Sequence, residues 1–140
     1  MKYIIEKSWC GLKYVTIKLP VARVSQEQGT LVHSKSIQAA EYAVAREIIC
    51  RTIPIRGIEI QFLRKTLGQS LRDFSTMLGI SHTALAKWEK KVKKRLDPVN
   101  EVAVRTLCAQ LLNLELRGWF QELLGTGKAQ PIEFIAPAAA

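Results

Sequence analysis

The side chains best equipped for chemistry in this chain are hydroxyls and cations gathered in one stretch. Ser81, His82, Thr83, Ala86 and Lys87 fall within a short helical pattern, and Lys90, Lys91, Lys93, Lys94 and Arg95 follow directly. Hydroxyl, imidazole and ammonium groups can bond the edges of base pairs, and a dense run of ammonium groups attracts phosphate. Catalysis has no comparable constellation. His33 and His82 have no obvious carboxylate companions, and the glycines form neither a G-x-G-x-x-G nor a phosphate loop. Cys10, Cys50 and Cys108 are far apart, with no C-x-x-C pair and only two histidines to help bind zinc. The reading is a binding protein rather than an enzyme, with no cofactor and no metal. Cys50 and Cys108 read as small buried hydrophobes, and the scattered thiols suit a reducing cytoplasm.

Charge concentrates in the same place. Residues 56–95 carry 10 basic and 3 acidic groups, against 8 and 4 in residues 1–55 and 3 and 5 in residues 96–140. A cationic surplus focused on one region is the footprint of a polyanion partner. The first residues are too short an apolar run for a signal peptide, and no run approaches the roughly 20 residues of a membrane span.

The elements that must position these groups lie in Ser70–Glu89, SLRDFSTMLGISHTALAKWE. Leu71, Phe74 and Leu78 share one helical face, Ser70 can cap that helix and Gly79 can end it. Ser81 can cap a second helix in which Leu85 and Trp88 turn inward. Ser75 is small enough to let that helix cross closely. Two short helices joined by a three-residue turn containing Gly predict a helix-turn-helix.

Phe74, Ser75, Gly79, Ile80, Ser81, Leu85, Trp88 and Glu89 fall where the lambda-repressor/Cro-like (Xre) helix-turn-helix family places its core and turn residues, and the stretch resembles that family. Leu71 stands where the family usually has a phosphate-touching Gln, and Lys90 and Lys91 replace its usual loop. The resemblance implies that the N-terminal half of the second helix enters the major groove. Ser81, His82, Thr83, Ala86 and Lys87 would then face bases, with Ala86 allowing close approach. Lys90, Lys91, Lys93, Lys94 and Arg95 would hold phosphate, as would Arg64, Lys65 and Arg72 from the other side. Trp88 reads as core, and Glu89 as a partner within the domain.

Before this stretch the pattern is β-like. Tyr3–Ile5 is a short apolar run, and Val15, Ile17 and Leu19 alternate with polar residues up to Pro20, which demotes the strand to a bent or edge one. Leu31–His33 is a return strand after a turn at residues 27–30. A helix over 36–51, capped by Ser36, would cover this sheet, with Pro54 closing the unit. Another helix runs from Gly57 to Thr66. After the motif, Asp97-Pro98 opens a helix whose apolar residues include Val99, Val102, Val104, Leu107, Leu111 and Leu112. Residues 114–124 extend or restart it, and their apolar surplus suits a dimer contact or a packed-down last helix. Residues 125–140 read as a flexible tail that can touch down at Ile132–Ile135.

The fold class expected is therefore α+β: a small strand-plus-helix unit over 1–52, an all-α five-helix domain over 53–124, then the tail. Trp9–Val15 is also similar to a C-G-L-x-x-V-x-L pattern of MqsA/HigA-type antitoxins, which implies a toxin protein as partner through residues 1–52. Those proteins hold zinc with cysteines in that first domain. Only Cys10 and Cys50 stand in this one, so zinc is not carried over. The leading expectation is a homodimeric repressor on a near-palindromic double-stranded operator, autoregulating as an antitoxin. A stand-alone or phage-type regulator is the second expectation, and a protein-interaction module without sequence-specific DNA binding is the alternative of another class.

Overall fold

A computed structural model describes residues 2–125 and 128–138. Its elements are β1 (Tyr3–Lys7), β2 (Val15–Ser25), β3 (Gly29–Val32), α1 (Ser34–Cys50), α2 (Gly57–Thr66), α3 (Leu71–Leu78), α4 (His82–Lys90), α5 (Pro98–Leu111) and β4 (Ile132–Ile135). Short 3-10 turns cover Trp9–Gly11 and Phe120–Leu123. The chain forms two compact units divided inside α1. One runs to Val44 and resumes at Pro131; the other is Ala45–Gln130.

The expected order of an N-terminal strand unit followed by an all-α domain is overturned. The first unit takes strands from both ends of the chain. β4 pairs parallel with β2, matching Val15 to Ile132 and Ile17 to Phe134, and β1 pairs antiparallel with β2, matching Ile4 to Leu19. Ile132 N–H donates to Tyr14 O at 2.7 Å and Ala136 N–H to Lys18 O at 2.8 Å. The presumed tail therefore contributes a strand, and residues 126, 127, 139 and 140 of it lie outside the described residues. Alternation along β2 does what the sequence predicts. Val15, Ile17 and Leu19 are buried while Lys18 is exposed, and Leu12, Ala40, Val44, Ile132 and Ala136 complete that core.

Pro20 does not end β2. It marks a change of partner: β1 pairs up to Pro20, and β3 takes over from Val21 with a register shift before Arg23. Pro has no N–H to donate, so a change of neighbour there sacrifices little. Ser36 is not a cap either. α1 starts two residues earlier, His33 Nδ1 accepts from Lys35 N–H at 3.1 Å, and the buried Ser36 hydroxyl donates to Pro137 O at 2.9 Å.

In the second unit α1, α2, α3 and α5 end alike. Thr52, Gly68, Gly79 and Asn113 each take positive φ. The next residue's N–H then reaches back to the carbonyl five positions earlier, at 2.8–3.1 Å: Ile53 to Ile48, Gln69 to Arg64, Ile80 to Ser75 and Leu114 to Ala109. This Schellman closure satisfies carbonyls a helix end would leave bare. The closure at Asn113 is why no helix spans 114–124. The segment is irregular apart from Phe120–Leu123, and Trp119 is 81% exposed. Among the described residues four α-helices, not five, follow residue 53.

α5 is rotated from the apolar face read in the sequence. Its buried residues are Glu101, Val104, Arg105, Cys108 and Ala109, whereas Val99 is 70% exposed. That is helical periodicity of three and four, with two charged residues inside it. Cys50 is exposed, against expectation, and Cys108 is buried, with burial pushing its thiol up to about 12 although the Arg105 charge pulls the other way.

If β4 is structural, Ile132→Ala in the full chain lowers unfolding free energy by about 2–5 kcal/mol, the range for a buried Ile truncation. Urea unfolding reads it; a tail predicts no change.

Candidate nucleic-acid interface

The motif is built from local caps. Ser70 Oγ accepts from Asp73 N–H at 3.0 Å and opens α3. Gly79, at φ 74°, ends α3, where the left-handed region imposes no penalty on Gly. Ser81 Oγ accepts from Ala84 N–H at 3.1 Å and opens α4. Phe74 and Leu85 are fully buried and Ser75 is 2% exposed, so the helices meet over a small residue.

Glu89 fixes α4 to α2. It is 8% exposed, and its carboxylate takes both arms of Arg64, Nε to Oε2 at 2.7 Å and Nη2 to Oε1 at 2.9 Å. Arg64 Nη1 donates to Gln69 O at 2.9 Å. Arg64 is thus committed within the domain and removed from the phosphate candidates. A two-armed pair of this kind fixes geometry as well as charge.

The start of α2 and the end of α4 touch backbone to backbone. A Cβ on Gly57 would collide with Trp88 O and lie 2.6 Å from Lys91 O. The basic loop is tied to the same place. Lys94 N–H closes a turn onto Lys91 O at 3.0 Å, Ile58 N–H donates to Val92 O at 3.2 Å, Gly57 N–H to Lys94 O at 3.3 Å, and Leu96 N–H to Ile55 O at 2.9 Å. The loop's carbonyls therefore satisfy the first amides of α2, and its backbone is held at both ends.

Arg95 anchors the loop from below. Its Nε donates to Glu101 Oε1 at 2.9 Å, and its Nη2 to Glu101 Oε2 at 3.1 Å and to Gly125 O at 2.7 Å. Arg95 was also expected on phosphate; this internal work makes it a positioning group. Glu101, fully buried, further accepts from Ile55 N–H at 3.0 Å and Gly125 N–H at 2.6 Å. Burial raises its pKa, but the hydrogen bonds from Arg95, Gly125 and Ile55 outweigh that and hold the carboxyl below its ordinary value. Nothing in the sequence reading singled out Glu101 or Arg105. Their spacing of four, in phase with Cys108, was the available signal.

The remaining candidates stay at the surface. Ser81, His82, Thr83 and Lys87 are exposed on α4, and Ala86 is half-buried between them. Lys65, Arg72, Lys90, Lys91, Lys93 and Lys94 are exposed, and none of these six forms an ion pair among the described residues. Trp88, read as core, is only half-buried. Among the described residues no three of His, Cys, Asp and Glu gather as a metal site, and no helix is long and apolar enough to cross a membrane. Comparisons with known protein families, with curated proteins and with solved structures give no match.

Gly57→Ala sets a methyl against rigid backbone, so stability falls by at least about 1–3 kcal/mol, measured by thermal or urea unfolding. For Glu101 the folded pKa lies below the unfolded one. Its contribution is complete above the ordinary carboxylate value and disappears as pH falls through the lowered one. Glu101→Gln should be less stable at neutral pH and flatten the acid limb of stability against pH; an unchanged limb would assign acid sensitivity elsewhere.

Proposed function

We propose that the chain is a sequence-specific DNA-binding regulator of the lambda-repressor/Cro-like type. In this reading α4 enters the major groove and the Lys90–Lys94 loop grips the adjoining backbone. One observation carries the reading. Two capped helices join at Gly79 and present Ser81, His82, Thr83 and Lys87 to solvent, and the pinned turn that follows α4 carries Lys91, Lys93 and Lys94, which with Lys90 form no ion pair among the described residues. A docking element wants base-reading side chains on a rigid helix and phosphate-binding charge in fixed register with them.

The roles divide accordingly. Thr83 and Lys87 address base edges, Thr83 through its hydroxyl and methyl and Lys87 toward guanine. Ser81 accepts from its own helix and keeps its hydroxyl hydrogen to donate to a phosphate. His82 is a further donor at the groove edge. Lys65 and Arg72 supply charge from α2 and α3. Binding as a homodimer to a near-palindrome, with half-sites about 34 Å apart, follows from the docking geometry of such motifs. Autorepression by an antitoxin is the narrower form of the proposal. In that form the partner-binding unit includes β4 as well as residues 1–44.

Selection of bound sites from random duplex DNA at defined salt tests the reading. Enrichment of a palindrome supports both readout and symmetry; recovery of no sequence favours a protein-interaction module. On the selected site, Thr83→Ala costs about 1–3 kcal/mol and leaves non-specific binding intact. Removing Lys93 and Lys94 together lowers the slope of log affinity against log salt by roughly two on every sequence. Affinity constant between low and moderate salt would contradict the phosphate assignment.

A further inference from the structure

The half-buried face of Trp88 opens onto a cleft of about 120 Å³ lined by Lys91, Lys94, Arg95, Asp97 and Asn100, with Leu96 beside them. One water needs roughly 10–15 Å³ of such space, so the cleft is sized for a larger guest. The backbone behind it is hydrogen-bonded at several points. Lys91 and Lys94 are the two ends of the closed turn, Leu96 is bonded to Ile55, and Arg95 is held by Glu101. With Arg95 matched by Glu101, the lining leaves two lysines to one carboxylate, that of Asp97. Neither lysine has a carboxylate partner among the described residues. The cleft thus joins a net positive lining to a tryptophan, a leucine and the side-chain amide of Asn100. An ammonium pair calls for a multiply charged anion, and the open part of a half-buried tryptophan suits a flat ring.

We propose that this cleft binds a nucleotide, its phosphate between Lys91 and Lys94 and its ring against Trp88 and Leu96, with Asn100 as hydrogen-bonding partner. The same chemistry is offered by a free mononucleotide and by a phosphodiester in a DNA strand. The regulatory consequence alone rests on the DNA-binding reading. A free nucleotide occupying the cleft withdraws Lys91 and Lys94 from the operator backbone, so nucleotide and DNA compete.

Lys94 and Lys93 separate the cleft from general charge. Both are exposed cations of the same loop, but only Lys94 lines the cleft. Calorimetric titration of the full chain with adenosine 5′-monophosphate, without DNA, reads the cleft directly, with adenosine as the probe lacking phosphate. Expected is saturable binding of the monophosphate, little of adenosine, an affinity about tenfold lower in Lys94→Glu, and a change within about twofold in Lys93→Glu. If the monophosphate fails to bind but Lys94→Glu on a short duplex costs more than the single phosphate contact that Lys93→Glu removes, the guest is a DNA phosphodiester and the phosphate assignment holds. If Lys93→Glu and Lys94→Glu act alike on both probes, the cleft has no role beyond diffuse charge and the proposal is overturned. Monophosphate binding in a protein that binds no duplex would overturn the DNA reading and leave the cleft.

Discussion

Two opposite charges buried side by side on α5 hold the second unit together. Glu101 and Arg105 are both fully buried, with Arg105 Nη2 lying 3.9 Å from Glu101 Oε2. Neither spends most of its bonding capacity on the other. Arg105 donates to Ile48 O at 2.8 Å, Ile53 O at 2.6 Å and Leu123 O at 2.7 Å, and so caps the end of α1 and the segments beyond it. Glu101 gathers amides from Ile55 and Gly125 and the guanidinium of Arg95. Burying an ion pair costs several kcal/mol per ion unless its remaining donors and acceptors are met, and here backbone groups meet them. A hydrophobic pair of similar volume would fill the space but leave those carbonyls and amides bare, each at a cost of about 1–3 kcal/mol. Irregular backbone around Ile53–Ile55 and Leu123–Gly125 is therefore affordable only because α5 carries charges at these two positions.

That arrangement reaches the surface through Arg95. The guanidinium that satisfies Glu101 belongs to the same loop as Lys90, Lys91, Lys93 and Lys94, so the buried carboxylate sets where the lysine-bearing backbone runs. The contact between Gly57 and the carbonyls of Trp88 and Lys91 fixes it from the other side. Lysine side chains lose rotamer freedom when they grip a ligand, but a loop already ordered contributes no further backbone entropy to that loss. Loop and α4 thereby share a register, which the DNA-binding reading requires.

The helix pair α3–α4 was legible because everything that specifies it is local. Ser70, Gly79 and Ser81 act within three to five residues of themselves, and Phe74 and Leu85 repeat at helical spacing. What was illegible is non-local or inverted in chemical sense. β4 is four residues between prolines, and only its pairing with β2, more than a hundred positions away, makes it a strand. Arg64 and Arg95 were read as surface cations because their carboxylates, Glu89 and Glu101, lie on other elements. On α5 the inward face carries Glu101 and Arg105, so counting only apolar residues pointed to Val99 and Leu111, which are exposed. A search for any residues repeating at three and four, charged ones included, would have found the buried face. The missing fifth helix turns on Asn113, a residue type that tolerates positive φ and so can end a helix as Gly does.

On the proposed reading, the distribution of side chains on α4 also argues for two copies on DNA. Ser81 is partly occupied as a cap and Ala86 offers no polar group. Thr83 and Lys87 therefore carry most of the base readout, with His82 at the edge. A matched base pair contributes about 1–3 kcal/mol of discrimination, whereas operator binding generally exceeds non-specific binding by about 4–10 kcal/mol. At about 2 kcal/mol each, two or three contacts give about 4–6 kcal/mol, the lower part of that range. The lysine loop cannot make up the difference, because phosphate contacts strengthen all sequences equally. A second α4, placed by symmetry on the next half-site, doubles the discrimination without a new contact type. On that reading, a strong loop beside a sparse recognition face fits a grip that is general in each copy and a selectivity that arises from pairing.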